Sequence, residues 1–227
     1  MINLKKHNIK LLIDFDSTFI KTESLEIISE ISLKESPNKE NTINEIKKLT
    51  SLAMNGKISF AKALTSRIKL LRANQSHIDL TIEKIKTQIS NSFKDNLDFF
   101  KKNCDNCYIV SGGFTQIIEP IVKEFNINNI YANDLIFNKK KEVISINKDN
   151  PLSKDLGKIS IAKNINGIKI AIGDGYTDYE IKKHGFSNHF IQYTENINRE
   201  ELNEFADLIS KDLNQVLNYI SKLYKYE

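Results

Sequence analysis

The chain has 227 residues, 40% of them apolar and 27% charged. That composition supports one sizeable core with a smaller insert, and it excludes wholesale disorder or a fold dependent on disulfide or metal staples. The formal charge of +4 comes from 33 basic and 29 acidic residues. Nearly all the bases are lysines scattered among acids without interleaved aromatics, so no nucleic-acid partner is expected.

In chain order, the first apolar run is 9–13, and Asp14 ends it. It is far shorter than the roughly 18–20 residues of a membrane span. No small-residue cleavage site follows it, so it is not a secretory leader and the expected location is cytoplasmic, with no membrane partner. It reads instead as a strand buried on both faces, running straight into Asp14-Phe15-Asp16-Ser17-Thr18.

Residues 20–90 carry four stretches of helical period. The apolar positions are Leu25, Ile27, Ile28, Ile31 and Leu33; then Ile43, Ile46, Leu49, Leu52 and Ala53; then Phe60, Ala63, Leu64, Ile68 and Leu71; then Ile78, Ile82, Ile85 and Ile89. Pro37 separates the first pair and Gly56 the second. A small helical cap inserted after the first strand is expected, poised over whatever lies at the strand ends.

A second buried strand is expected at 108–110, ending on Ser111-Gly112-Gly113, and a third at 168–172, ending on Gly173-Asp174-Gly175. Between them lie a helix at 115–125, a strand at 130–131 and a hairpin over 135–146 with its lysine-rich tip at 138–141. A helix at 158–164 precedes the third strand. A helix at 178–183, a strand at 189–192 and a helix at 213–223 complete an α/β chain with a mostly parallel sheet. The expected division is a core of 1–19 and 91–227 with a cap of 20–90. Cys104 and Cys107 form a lone Cys-x-x-Cys with no second ligand pair, and they read as ordinary thiols.

The chemistry concentrates at the strand ends. Asp14 and Asp16, one residue apart on an extended segment, point the same way, and two carboxylates in one pocket call for a cation or a shared proton. Asp174 adds a third acid from another strand, and Asp178 follows one helical turn later. A hard, oxygen-rich site with few ligands suits Mg²⁺. Ser111 offers a hydroxyl beside the N–H groups of Gly112 and Gly113, all donors for phosphate oxygens.

These three motifs, in this order and in these strand contexts, resemble those of haloacid-dehalogenase-superfamily phosphatases, and within that superfamily the phosphoserine phosphatases. The resemblance implies a Rossmann-like core with a helical cap, and hydrolysis of a small phosphorylated amino acid with Mg²⁺ as cofactor. It casts Asp14 as the nucleophile and Asp16 as the general acid and base. The metal would be held by Asp14, the Asp16 backbone carbonyl and Asp174, with Asp178 supporting them and Thr18 positioning the loop. Ser111 and a lysine would bind the phosphoryl group; Lys158, following Gly157 at a helix start, is the choice, and Lys154 the alternative. Glu23 would meet the substrate amine and Arg67 its carboxylate, with Met54, Phe60, Gly112, Gly113 and Thr177 lining the site. His7, His77, His184 and His189 show no ligand pairing, and Arg72 and Arg199 read as surface residues. Two other readings stay open: the same chemistry on another small phosphate such as phosphoglycerate, or on an acceptor other than water, and a catalytically silent binding protein on this fold.

Overall fold

Each of the three apolar runs forms a buried parallel strand, and the polar residues that follow gather at one edge of the sheet. The computed structural model describes residues 3–224; residues 1–2 and 225–227, expected at the ends of the core, lie outside that range. β1 (Ile9–Ile13) leads through a wide turn, Phe15–Phe19, into α1 (Ser24–Ser32), α2 (Lys39–Met54), α3 (Phe60–Leu70) and α4 (Gln75–Lys86). Short helices α5 (Asn91–Asp95) and α6 (Leu97–Asn103) return the chain to β2 (Cys107–Phe114). Then come α7 (Thr115–Val122), β3 (Asn129–Asn133) and the hairpin of β4 (Leu135–Phe137) and β5 (Val143–Ile146). α8 (Gly157–Ala162), β6 (Ile168–Gly173), α9 (Tyr176–Lys183), β7 (His189–Tyr193), β8 (Leu208–Ser210) and α10 (Leu213–Leu223) follow.

The main sheet runs β3-β2-β1-β6-β7-β8 with every pair parallel. The chain winds outward from β1 to β3, then returns beside β1 and winds the other way. Such a reversal opens a crevice at the carboxyl ends of the central strands. Strand period 2 divides the interior. Ile9, Leu11 and Ile13 face the larger core with Ile109, Ile170 and Ile172, while Leu12 joins Val110, Ala171 and Phe190 on the other face.

The larger core continues into the four inserted helices through Ile28, Ile46, Leu64, Ile78 and Ile85. The insert leaves the core on two neighbouring segments: Ile20 bridges Ile89, the Lys21 N–H donates to the Gln88 carbonyl at 2.7 Å, and the Ser90 N–H donates to Phe19 at 3.0 Å. Phe19 anchors this junction, its ring 4.8 Å from Phe93 and 4.9 Å from Phe125, centroid to centroid. His77 serves α4 locally: its Nδ1 accepts the Asn74 N–H, while the Asn74 side chain accepts the His77 N–H. No helix among the described residues is long and apolar enough to cross a membrane.

Four elements differ from expectation. β2 does not stop at Val110 but stays extended through both glycines to Phe114, with a register shift against β3 between Val110 and Phe114. Burial of Phe114 draws the strand onward. α5 and α6 are too short to give a periodic signal; burial of Phe93, Phe99 and Phe100 folds them. β8 is a three-residue edge strand with Ile209 exposed, so it lacks an apolar run.

Candidate active site

Asp14 continues the line of β1: its N–H donates to the Ile172 carbonyl at 2.9 Å, and its backbone remains extended. Its Oδ1 accepts the Phe15 N–H at 2.7 Å. Asp16 is also extended, but Ser17 adopts a left-handed φ of 56°. That conformation costs roughly 1 kcal/mol for a residue with a Cβ and folds the chain back sharply. Both carboxyl groups therefore face one pocket, as the residue spacing predicts. The Asp16 carboxyl accepts the Ser24 N–H at 2.7 Å and the Ser24 hydroxyl at 3.1 Å, so it also secures the first residue of α1. Burial, then repulsion from Glu23, raises the Asp16 carboxyl well above the usual carboxylate range. It holds a proton where an ordinary aspartate has lost it.

Asp14, Asp174 and Asp178 are buried together, each offering an oxygen within 4.8 Å of the others. Three convergent carboxylate oxygens and no thiol or imidazole make a hard donor set suited to a divalent cation. Each acid is held from behind. Asp174 accepts the Thr18 hydroxyl at 3.2 Å and the Arg199 Nε–H at 2.9 Å. Asp178 accepts the Gly175 N–H at 3.2 Å. A Cβ on Gly173 would lie 2.1 Å from the Asp178 Cγ, so only glycine lets α9 bring this acid so close to β6. Burial raises the Asp174 carboxyl to about 7 and the Asp178 carboxyl to about 8, opposed by Arg199 in the first and Lys158 in the second.

Lys158 enters this cluster from the first turn of α8, with its Nζ 2.9 Å from Asp14 Oδ2 and 2.7 Å from Asp178 Oδ1. Burial disfavours its charge, but the two carboxylates outweigh that and hold its pKa above the ordinary lysine value. Lys154, the alternative, is exposed. A Cβ on Gly157 would meet the Pro151 carbonyl oxygen at 2.5 Å, and this tight approach carries α8, and Lys158 with it, against the preceding turn.

The remaining expected residues line the same pocket. It measures about 350 Å³ and is bounded by Asp14, Asp16, Glu23, Met54, Phe60, Arg67, Ser111, Gly112, Gly113, Lys158 and Thr177. The inserted helices supply its outer end. Arg67 is 4% exposed, and its Nη1 donates to the Thr50 hydroxyl at 3.0 Å and its Nε to the Ala63 carbonyl at 3.4 Å. Burial lowers its pKa. Glu23 accepts the Ser17 hydroxyl at 2.7 Å, and burial raises its carboxyl. The Phe60 ring lies on Gly112, where a Cβ would come within 2.3 Å of its Cζ, and the Met54 sulfur lies over Gly175. Thr177 Oγ1 is buried and has no hydrogen-bond partner. One expectation is modified: the Gly113 N–H is not free but donates to the Ser111 hydroxyl at 3.0 Å.

Arg199 is a correction. Expected on the surface, it is 6% exposed, with Nε on Asp174 and Nη2 3.8 Å from Glu23 Oε1. It joins the acid cluster to Glu23. A signal was present: the chain has only three arginines, Arg67, Arg72 and Arg199, among its 33 basic residues. In so lysine-rich a chain an arginine marks a place where a planar, weakly hydrated cation is needed, and two of the three are buried here. Cys104 and Cys107 are free thiols, and neither lines the pocket.

A model of the haloacid dehalogenase-like hydrolases matches residues 11–181. Among solved structures, a phosphoserine phosphohydrolase-like protein from Francisella tularensis superposes with a TM-score of 0.85 at 32% identity, covering 93% of this chain and 99% of that one. The phosphoserine phosphatase of Methanocaldococcus jannaschii is 29% identical over 231 residues, covering 96% of this chain and 100% of that protein. The chloroplastic phosphoserine phosphatase of Arabidopsis thaliana is 27% identical over 212 residues, covering 90% of this chain and 69% of that protein.

Proposed function

The chain belongs to the haloacid dehalogenase-like hydrolases, and from that premise we propose that it is a Mg²⁺-dependent phosphoserine phosphatase that releases L-serine and phosphate. The observation that carries this reading is a single pocket that brings Asp14 and Asp16 together with Ser111 and Lys158 and with the buried pair Glu23 and Arg67. The names of the relatives point to the same substrate. In this reading residues 20–90 are a cap over a core of 1–19 and 91–227.

Asp14 attacks phosphorus, and its carboxylate oxygen forms the new bond as the bond to the seryl oxygen breaks. Lys158 fixes Asp14 Oδ2 and sits where negative charge gathers on the phosphoryl oxygens. Asp16, kept protonated by its surroundings, gives its proton to the leaving seryl oxygen. The Asp16 carboxylate then takes a proton from water, the hydroxide attacks phosphorus, and Asp14 leaves with its carboxylate restored. Ser111, and the Thr177 hydroxyl that has no protein partner, donate to phosphoryl oxygens. Asp14, the Asp16 carbonyl and Asp174 would hold Mg²⁺, with Asp178 and Thr18 behind them. The ion would neutralise phosphoryl charge and keep the carboxylates from repelling the substrate.

Glu23 accepts from the substrate ammonium and Arg67 grips its carboxylate with the N–H groups not used on Thr50 and Ala63. A phosphoester lacking either group would leave a buried charge unpaired, which is how such a site rejects analogues. The test is phosphate release from O-phospho-L-serine and other small phosphates, with and without Mg²⁺ and with Asp14→Asn as blank. Mg²⁺-dependent preference for phosphoserine supports the proposal. Equal rates on phosphoglycerate would refute the roles given to Glu23 and Arg67.

A further inference from the structure

Within the proposed reaction, the cap residues Phe60 and Arg67 reach the substrate only when α3 lies against the core. Beyond its C-terminal end the chain is tied to the β4–β5 hairpin, where the Ala73 carbonyl accepts the Val143 N–H and the Lys141 carbonyl accepts the Gln75 N–H, each at 2.9 Å; at its N-terminal end the direct polar contact belongs to Asp155. This acid sits on the core in the segment before α8, exposed, and its Oδ1 and Oδ2 accept the Ser59 hydroxyl at 2.9 and 2.7 Å. Its Oδ1 also accepts the Ala61 N–H at 3.0 Å. Ser59 is itself the N-cap of α3, its Oγ accepting the Lys62 N–H at 3.2 Å. A core carboxylate thus completes the capping of a cap helix, where unpaired N–H groups and the helix dipole favour negative charge.

Two further features tie this contact to the chemistry. Asp155 lies three residues before Lys158, with Leu156 between them in a left-handed turn at φ 59°, so one short segment carries both the contact to α3 and the lysine on Asp14. Beside it, the turn joining α2 to α3 presses closely on the core: Gly56, at φ +69°, faces the Tyr176 ring, where a Cβ would lie 2.7 Å from Cγ. On the far side of the turn Glu201 accepts from Asn55 at 3.3 Å and pairs with Lys57 at 3.6 Å, but both ends of that ion pair are half exposed, so it contributes little.

We propose that Asp155 is the latch of the cap: a positioning residue that holds the α3 N-terminus on the core and sets the fraction of protein in the closed, substrate-binding form. This rests on the phosphatase reading above. Apparent affinity scales with the competent fraction, so releasing the latch weakens binding without removing any group that touches substrate.

The experiment compares wild type with Asp155→Ala, Asp155→Glu, Ser59→Ala and the Asp155→Ala/Ser59→Ala double variant, all with Mg²⁺ and O-phospho-L-serine. Asp149→Ala, another exposed acid on the same connection, is the control. Asp155→Ala should raise KM about tenfold while kcat stays equal or rises, since cap opening for product release is eased. Asp155→Glu should recover most of the loss, and the double variant should raise KM no further than Asp155→Ala, because Ser59 bears on closure only through its bond to Asp155. An unchanged KM, or a fall in kcat at constant KM, would overturn the latch. A readout independent of activity is trypsin cleavage at Lys57 and Lys62, which should quicken about fivefold or more when the turn is released. Unaltered cleavage overturns the latch even if the substrate proves to be another phosphate; an inactive wild type with accelerated cleavage of the variant would refute the phosphatase reading and leave the latch standing.

Discussion

Replacing Lys158 by Met tests the electrostatic design of the site directly. The methionine fills the volume of the lysine stem, but the ammonium 2.9 Å from Asp14 and 2.7 Å from Asp178 is lost. Removing one partner of a buried ion pair costs about 3–5 kcal/mol, because the remaining charges stay buried and uncompensated. For a protein of this size each kcal/mol moves Tm by about 2–4 °C, so the metal-free variant should melt roughly 6–20 °C below wild type at pH 8. The deficit should shrink towards pH 6 as the carboxyls take up protons, and Mg²⁺ should raise the variant's Tm more than the wild type's. Phosphate release should fall at least about 100-fold, the scale of losing a group aimed at developing charge. Lys154→Met, at an exposed position, should stay within about twofold in rate and within about 2 °C in Tm. The assays are calorimetry with and without Mg²⁺ at both pH values, and phosphate release. A Lys158→Met protein that melts with wild type and keeps its rate, or a Lys154→Met protein that loses its own, would refute the reasoning.

Arg67→Lys keeps the charge but not the planar fork, and should lower kcat/KM for phosphoserine about 10–100-fold; an equal loss on a phosphate lacking a carboxylate would contradict its role. The pH dependence of the metal-free protein follows from Asp174 and Asp178, whose folded pKa values stand above those of the unfolded chain. The folded state keeps protons that the unfolded chain releases above about pH 4, so Tm should fall as pH rises from about 4 towards 8. Mg²⁺ should flatten that slope, and a metal-free Tm that climbs over this window would refute the assignment. Gly112→Ala places a methyl 2.3 Å from the Phe60 Cζ; the ring must withdraw, and KM should rise about tenfold with little change in Tm, whereas an unchanged KM would show that Phe60 does not close on the substrate.

Most of the architecture could be read from apolar pattern because this fold buries its central strands on both faces. Such strands become continuous apolar runs, and the acids that end them stand out by contrast: Asp14 and Ser111 are each one step beyond such a run, and Asp174 is two. The four helices of the insert were equally plain, since each buries one stripe. What escaped was short or held together by contacts distant in sequence. β8 has three residues and an exposed Ile209, so neither period nor composition marks it. Arg199 sits in a stretch with no periodicity, and only the third dimension brings it 2.9 Å from Asp174. The choice between Lys158 and Lys154 was a similar case. Four residues apart in one polar segment, they differ only in that Gly157 lets α8 turn one of them inward.

The charge balance of the pocket explains why its acids are tuned differently. Among the described residues, five carboxylates line the pocket or its floor (Asp14, Asp16, Glu23, Asp174 and Asp178) against three cations, Lys158, Arg67 and Arg199. Fully ionised, the site would carry two uncompensated negative charges in a buried space, and a phosphate dianion could not enter it favourably. One divalent cation held by this cluster would cancel those two charges, but an arriving phosphate dianion would restore the deficit. The remaining relief must come from a proton. Asp16 is the acid placed to keep one, because Glu23 stands beside it and no cation bonds to it directly, whereas Asp14 has Lys158 and Asp174 has Arg199. In the proposed reaction, the proton that relieves this charge would also be the one that the leaving seryl oxygen needs. Once given up, it would leave the Asp16 carboxylate an unpaired charge in a crowded site, and so, in that proposal, the base toward the water that completes the reaction.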